Sequence, residues 1–165
     1  MTGGRLTAAK NFDLIIKAFN KLGMPLKIYG SGPLEKNLKS IAKDNVEFLG
    51  NVTDGETAKL YGSAKAFILA QKDEDFGMTG VEAMSFGTPV IAYKGGGYLE
   101  SVVEGKTGVF FDELNVENLS KTIKQFDDSN HRSDMEESCI NQAKKFSKER
   151  FISEVKNFVN LKLKT

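Results

Sequence analysis

Glu74 and Glu82 stand eight positions apart in Glu74-Asp75-Phe76-Gly77-Met78-Thr79-Gly80-Val81-Glu82. A carboxylate has two oxygens to offer, so one glutamate can accept from both hydroxyls of a vicinal diol. The residues between them predict a helix that begins near Thr79 and ends at Phe86-Gly87. Gly77, Met78 and Thr79 would then present free N–H groups at its positive end, suited to phosphate or sugar oxygens. Glu74 would project into a cleft ahead of the helix, and Glu82 would lie in its first turn. A plainer reading stands beside this one. Thr79-x-x-Glu82 has capping-box spacing, so Glu82 could return to the Thr79 backbone. Glu74 could be one of the solvated acids of Asp73-Glu74-Asp75.

Three other short stretches carry chemistry of the same kind. In Arg5-Leu6-Thr7-Ala8-Ala9-Lys10, two cations five residues apart flank a turn that enters a helix. With the helix N-terminus they would favour a diphosphate; the alternative is a pair of surface cations. In Gly30-Ser31-Gly32-Pro33 the glycines permit close backbone approach to a ligand, and Pro33 suits a first helical position; the alternative is a tight strand-to-helix turn. Lys94-Gly95-Gly96-Gly97-Tyr98 is either another close-approach loop or a flexible connector.

The elements that must position these stretches alternate along the chain. Asn11 caps a predicted helix with Phe12, Ile15, Ile16, Phe19 and Leu22 on one face. Leu34, Leu38, Ile41 and Ala42 mark a second stripe, and Val116, Leu119, Ile123 and Phe126 a later one. Thr53 and Glu56 have capping-box spacing and open a helix through Tyr61. Strands are predicted at 25–30, 46–50, 66–70, 89–93 and 108–111, with the end of a first strand at Gly4-Arg5-Leu6. The run Ala66-Phe67-Ile68-Leu69-Ala70 is apolar throughout, as in a parallel sheet buried on both faces. From about Asp134 the chain reads as helical, with Phe151, Val155, Phe158 and Val159 on one face. The pattern predicts an α/β fold: a doubly wound, Rossmann-like parallel sheet of about six strands with helices on both faces. In such sheets ligands sit beyond the carboxyl ends of the strands. All four stretches follow strands, so they converge on one rim. Cations, amide donors and diol acceptors on one rim describe a nucleoside diphosphate with a sugar attached.

Composition narrows the class. At 165 residues the chain makes one domain of ordinary size. A formal charge of +1 supplies no basic field for nucleic acid. Cys139 is the only cysteine, so no internal disulfide forms, and a reducing compartment is expected. No apolar run approaches the roughly 20 residues that span a bilayer. His131 stands alone and is read as decorating a loop, so no metal site is expected. No signal peptide is read at the start, and the abrupt entry through Gly4-Arg5-Leu6 is read as that of one half of a larger protein.

The chain resembles the C-terminal domain of a retaining GT-B glycosyltransferase of glycosyltransferase family 4, the glycosyl transferases group 1, from Gly4 to about Phe151. The most specific residues are Glu74 through Met84, which match the family's E-x7-E motif. Gly87-Thr88-Pro89-Val90-Ile91-Ala92 and Gly96-Gly97-Tyr98-Leu99-Glu100 follow in family order, and Phe146-Ser147 with Glu149-Arg150-Phe151 resemble its closing helices over 131–165.

That resemblance implies roles. Arg5 and Lys10 hold the donor diphosphate, Glu82 binds the ribose hydroxyls, and Glu74 faces the transferred sugar. Backbone groups at Phe76, Gly77, Met78 and Thr79 meet sugar and phosphate oxygens, while Gly30, Gly32, Phe48 and Leu49 border the base. The implied reaction moves a hexose from a nucleoside-diphosphate sugar to an acceptor hydroxyl with retention, without cofactor or essential metal. Asp75 stands where many relatives carry proline. Its form is closest to bacterial polysaccharide and O-antigen mannosyltransferases, which implies GDP-mannose, with a uridine diphosphate sugar as the alternative donor. The acceptor, a glycan or glycolipid, would be met by an N-terminal domain absent from this chain, so the chain alone would be inactive. The implied location is cytoplasmic, with peripheral association at the inner face of the cell membrane left open. Two other readings remain: a stand-alone nucleotide- or sugar-binding module, and a GT-B relative such as a sugar-nucleotide epimerase. For a pyridoxal-phosphate phosphorylase, nothing marks Lys72 or Lys94 as the needed lysine.

Overall fold

The computed structural model describes residues 1–129 and 132–163. It is built from parallel strands β1 (Thr2–Gly3), β2 (Leu26–Tyr29), β3 (Val46–Gly50), β4 (Phe67–Leu69), β5 (Val90–Tyr93) and β6 (Gly108–Phe111). They form two three-stranded sheets, ordered β1-β2-β3 and β4-β5-β6. The two meet edge to edge. The Ile68 N–H donates to Met1 O at 2.9 Å, and Thr2 Oγ1 donates to Ile68 O at 2.8 Å. The spatial order is therefore 3-2-1-4-5-6, and the strand order reverses between β1 and β4. A ligand crevice belongs beyond the carboxyl ends of those two strands.

The first strand ends earlier than the sequence suggests. Residues 4–6 form a bend instead of continuing β1, because the loop after β2 receives them. Gly4 N–H donates to Tyr29 O at 3.0 Å and Leu6 N–H to Ser31 O at 2.9 Å. A single 3-10 turn at Ala8–Lys10 leads into α1 (Phe12–Leu22). Phe12, Ile15, Ile16 and Phe19 are buried as their spacing predicts, with Leu22 at the edge. Each such side chain contributes about 1.5–3 kcal/mol on full burial.

The next helices are α2 (Glu35–Ile41), α3 (Asp54–Ser63), α4 (Met78–Ser85), α5 (Tyr98–Ser101) and α6 (Val116–Asp128). Helix α2 starts at Glu35, so Pro33 precedes it and is not its first residue. Of its expected stripe only Leu38 is buried, since Ile41 remains 37% exposed. Helix α3 does open with a capping box. Glu56 N–H donates to Thr53 Oγ1 at 3.3 Å, and Thr53 N–H donates to Glu56 Oε2 at 2.8 Å. Those bonds hold the Glu56 carboxyl below its usual range.

The closing region is two helices, α7 (Arg132–Lys144) and α8 (Lys148–Leu163), split at Phe146-Ser147. Helix α7 packs on α4 and buries Met135, Cys139 and Ala143. Burial pushes the Cys139 thiol up to about 12, which leaves it unreactive. Helix α8 buries none of its described side chains; Phe151 is 67% and Phe158 63% exposed. His131 lies outside the described residues.

Candidate active site

The sequence-predicted residues divide into two clusters along α4. The first surrounds Glu74 in the loop after β4. Lys10 Nζ, from the loop after β1, lies 3.8 Å from Glu74 Oε2. The Gly77 N–H donates to Glu74 Oε1 at 3.2 Å, and the Tyr98 hydroxyl donates to Oε2 at 3.4 Å. Lys10 and Glu74 thus meet across the strand reversal, where the fold places a ligand crevice. Asn11 joins the same two loops: its side-chain amide donates to Ala70 O at 2.8 Å. Asn11 therefore does not cap α1 through its side chain.

Arg5 is exposed in the bend after β1, and its side chain has no hydrogen bond or ion pair among the described residues. Its guanidinium remains available to an anion. Helix α4 starts at Met78, one residue ahead of the sequence expectation, with Gly77 at its N-cap in the left-handed region, φ 83°. The Gly77 N–H is already taken by Glu74, which corrects the expectation that it is free. The N–H groups of Met78 and Thr79 have no acceptor among the described residues. They are the donors left at the positive end of the helix.

The glycine-rich loop after β5 is neither a connector nor an open ligand loop. It is the support under Glu74. Gly97 N–H donates to Glu74 O at 2.7 Å. A Cβ on Gly97 would collide with the Asp75 carbonyl and the Phe76 Cα, so only glycine lets these two backbones touch. Tyr98 follows directly and is fully buried, with its ring beside Gly77. Burial, and then the nearby Glu74 carboxylate, push the Tyr98 hydroxyl above its ordinary range, so it stays protonated as a donor. Phe76 is held edge-on against Phe146, with ring centroids 5.2 Å apart. That contact ties the segment between α7 and α8 to the motif.

The second cluster surrounds Glu82. It is exposed and lies in the second turn of α4, not the first. It makes no capping box with Thr79, since α4 has no side-chain cap. Its carboxylate makes no hydrogen bond or ion pair among the described residues. Partial burial raises its pKa, Tyr61 pulls the other way, and Asp54 adds a smaller upward push.

The loop after β2 serves the first cluster indirectly. A Cβ on Gly30 would land on the Gly4 carbonyl, and one on Gly32 would strike the Leu6 backbone. The pair seats the bend that carries Arg5, which is the tight-turn reading. At β3, Phe48 and Leu49 are half-buried, and the Lys39 ammonium lies over the Phe48 ring at 5.6 Å. In the sheet order, β2 and β1 lie between them and β4, the strand that leads to Glu74.

Tyr98, Tyr61 and the amide of Asn11 are neighbours of the candidate site that sequence reasoning missed. For Tyr98 a signal was present: an aromatic directly after three glycines has no local partner and must pack elsewhere. Tyr61 gave no signal of its own. Among the described residues no group of three His, Cys, Asp or Glu side chains could hold a metal ion. None of the described helices is long and apolar enough to cross a membrane.

An apolar hollow of about 440 Å³ lies at the opposite end of the sheet, lined by Met24, Pro25, Ala66, Ile68, Ile123 and Phe126 among others. Beside Lys10 and Tyr98 the surface forms only a dimple of about 10 Å³. Chemistry outweighs size in choosing between them. The convergent cation, carboxylate and unpaired amides are all at the shallow end.

Comparison with known proteins agrees with this geometry. Residues 2–146 match the family model for glycosyl transferases group 1. Mannosylfructose-phosphate synthase from Agrobacterium fabrum is 31% identical over 138 residues, covering 73% of this chain and 30% of that protein. Alpha-monoglucosyldiacylglycerol synthase from Streptococcus pneumoniae is 34% identical over 112 residues, covering 62% of this chain and 25% of that protein. Among solved structures, a glycosyltransferase from Rickettsia africae superposes with a TM-score of 0.86 at 21% identity, covering 99% of this chain and 47% of that one. The pneumococcal O-GlcNAc transferase GtfA, in complex with UDP and GlcNAc, superposes at 0.84 and 23% identity, over 98% of this chain and 35% of that one. The chain thus spans less than half the length of these relatives. With the E-x7-E acids at the reversal of a Rossmann-like sheet, and a family match over nearly the whole chain, this protein belongs to the glycosyl transferases group 1 family and has the fold of the C-terminal half of a GT-B glycosyltransferase.

Proposed function

We propose that this chain is the donor-binding half of a retaining hexosyltransferase that uses a nucleoside-diphosphate sugar. The observation that carries the reading is the meeting of Lys10 and Glu74 at the strand reversal, beside the unpaired N–H groups of Met78 and Thr79. Arg5 and Lys10 face the diphosphate. As the bond from the anomeric carbon to the phosphate oxygen breaks, the leaving diphosphate gains charge, and two cations and two helix-end amides offset it. The acceptor hydroxyl forms the new bond at that carbon, and its proton passes to the departing phosphate. Glu74 stands next to the transferred sugar with its oxygens fixed by Gly77 and Tyr98. Glu82 accepts from the ribose. The N-terminal half of the enzyme brings the acceptor, so the chain alone binds donor without transferring it.

The Glu74-Asp75-Phe76-Gly77 form of the motif favours GDP-mannose, and one relative is named for mannosyl transfer. The similar pneumococcal O-GlcNAc transferase GtfA is in complex with UDP and GlcNAc, which keeps a uridine diphosphate sugar as the competing donor. We place the reaction in cell-surface polysaccharide or glycolipid synthesis, in the cytoplasm or at the inner face of the membrane, with no cofactor or essential metal. A thermal-shift panel of GDP, UDP, ADP and their sugars tests the donor. A ligand at 100 times its Kd adds roughly 2.7 kcal/mol of stability. A response to GDP and GDP-mannose alone supports the reading; a response to UDP alone replaces the donor. Turnover of donor onto an acceptor by the 165-residue chain at an ordinary enzymatic rate would overturn the half-enzyme reading.

A further inference from the structure

We propose that Asn11 is a positioning residue for Lys10: its side-chain amide ties together the two loops at the strand reversal, and so holds the Lys10 ammonium where the diphosphate lies. The inference rests on the assignment of Lys10 to that diphosphate.

The seam between β1 and β4 is closed by three bonds of changing kind. Ala66 O accepts from the Met1 nitrogen at 2.9 Å, Ile68 O from the buried Thr2 hydroxyl at 2.8 Å, and Ala70 O from the Asn11 amide at 2.8 Å. These carbonyls are two residues apart, so they lie along one edge of the strand. The Asn11 bond is the last of the three, at the carboxyl end, where the crevice opens. By then β1 has ended and its chain has bent towards the loop after β2, with Gly4 N–H donating to Tyr29 O. Ala70 is 1% exposed, and a carbonyl so placed must be satisfied. A carbonyl only accepts, so the amide nitrogen, not its oxygen, faces Ala70.

The backbone of Asn11 carries a second sign of the same role. With φ 51° and ψ 39°, it is the only residue other than glycine at positive φ among the described residues. That region strains any residue with a Cβ, and asparagine is among the few that tolerate it. Glycine would adopt it more easily, but it would offer nothing to Ala70. Asn11 is then fixed on three sides. Its N–H donates to Ala8 O at 3.1 Å and closes the 3-10 turn, its carbonyl accepts from Leu14 N–H at 3.1 Å at the start of α1, and its amide holds the loop after β4.

Lys10 directly precedes this anchor. Its ammonium lies 3.8 Å from Glu74 Oε2, too far for a hydrogen bond, and makes none among the described residues. Its protons are therefore unspent. A lysine stem is long and flexible, so the backbone from which it springs decides where its charge can rest. Fixing that origin before the ligand arrives lowers the ordering cost of binding.

The test is calorimetric titration of the 165-residue chain with UDP and GDP, run as a double-mutant cycle of Asn11→Gly and Lys10→Ala. Glycine keeps the left-handed backbone and removes the amide. Asn11→Gly should weaken whichever nucleotide binds by about tenfold. In the Lys10→Ala background the same change should alter affinity by less than about twofold, because the group it aims is gone. Equal weakening in both backgrounds shows a merely structural role and overturns the proposal, as does an unaltered affinity in Asn11→Gly. Thr2→Val removes the neighbouring bond of the same seam. It should lower the urea midpoint and leave nucleotide affinity as it was; weakening equal to that of Asn11→Gly would show that closure of the seam matters and not the aim of Lys10. An Asn11→Gly chain that does not fold makes the amide part of the scaffold and also overturns the proposal. A wild-type chain that binds neither nucleotide, or a Lys10→Ala chain that binds as well as the wild type, takes Lys10 away from the diphosphate. That result fails the functional reading and this proposal together, and is distinct from the failure of Asn11 alone.

Discussion

The two glutamates of one helix entrance are built in opposite ways. Glu74 receives a backbone N–H, a buried phenol and an ammonium, and its own carbonyl is gripped by Gly97. The Glu82 carboxylate has no hydrogen bond or ion pair among the described residues and is exposed. The first acid is part of the structure that it serves, and its substitution leaves three donors without an acceptor. The fold makes little use of the second. Eight residues of a single segment thus hold one carboxylate fixed by its neighbours and another with no hydrogen bond or ion pair among the described residues.

Four substitutions probe that contrast, the most damaging first. Gly97→Ala drives a Cβ into the backbone of Asp75 and Phe76, and neither atom can swing aside. A loss of about 3 kcal/mol is expected in urea unfolding, at the upper end of overpacking costs. A loss under about 0.5 kcal/mol, within the range of an ordinary surface substitution, would mean that the loop does not support Glu74. Glu74→Ala should cost about 2 kcal/mol, because the buried Tyr98 hydroxyl and the Gly77 N–H lose their acceptor. On the proposed function, the same substitution in a full-length enzyme should abolish transfer while sparing much of the nucleotide affinity.

Thr53→Ala removes the capping box of the helix that carries Tyr61, at about 1 kcal/mol. It should leave the Glu74 cluster untouched, so unfolding should change while affinity for inorganic pyrophosphate does not. Glu82→Gln is the mildest and is expected to change sign. A carboxyl whose folded pKa is raised above its unfolded value opposes folding once pH exceeds the unfolded value, so removing its charge stabilises at neutral pH. For so exposed a group the gain is less than about 0.5 kcal/mol. The same variant should lose its discrimination of ribose from deoxyribose in nucleotide binding. In the unaltered chain that discrimination should fade on acidification beginning above the ordinary glutamate range of about 4.3, since protonation removes acceptor capacity. If Glu82→Gln destabilises as much as Glu74→Ala, the contrast between the two acids is lost.

Much of this fold was legible in the residues alone. The period of Phe12, Ile15, Ile16 and Phe19 places α1 to the residue, and Thr53 with Glu56 places the start of α3. Val46–Gly50 and Gly108–Phe111 match the predicted strands residue for residue. The misses share one cause. Thr79 and Glu82 have the spacing of a cap, but Gly77 occupies the N-cap and its N–H goes to Glu74 from the loop after β4. Asn11 has the right type for a cap, but its amide is drawn to Ala70. Gly4-Arg5-Leu6 has the look of a strand end, but the loop after β2 draws it into a bend. In each case a short-range rule lost to a partner from another element.

Element type follows from interactions within about four residues, through side-chain period and caps, and these are present in the chain before it folds. Those local terms already placed five of the six strands, most of the helices and the loops that hold the acids. They carry no information on which loop will lie against which. The order 3-2-1-4-5-6 brings residue 10 to residue 74 and residue 97 beneath it. Both pairs exist only once the sheet has closed. The sequence determined that two acids would flank a helix start; the closed sheet decided that one would be locked and the other left free.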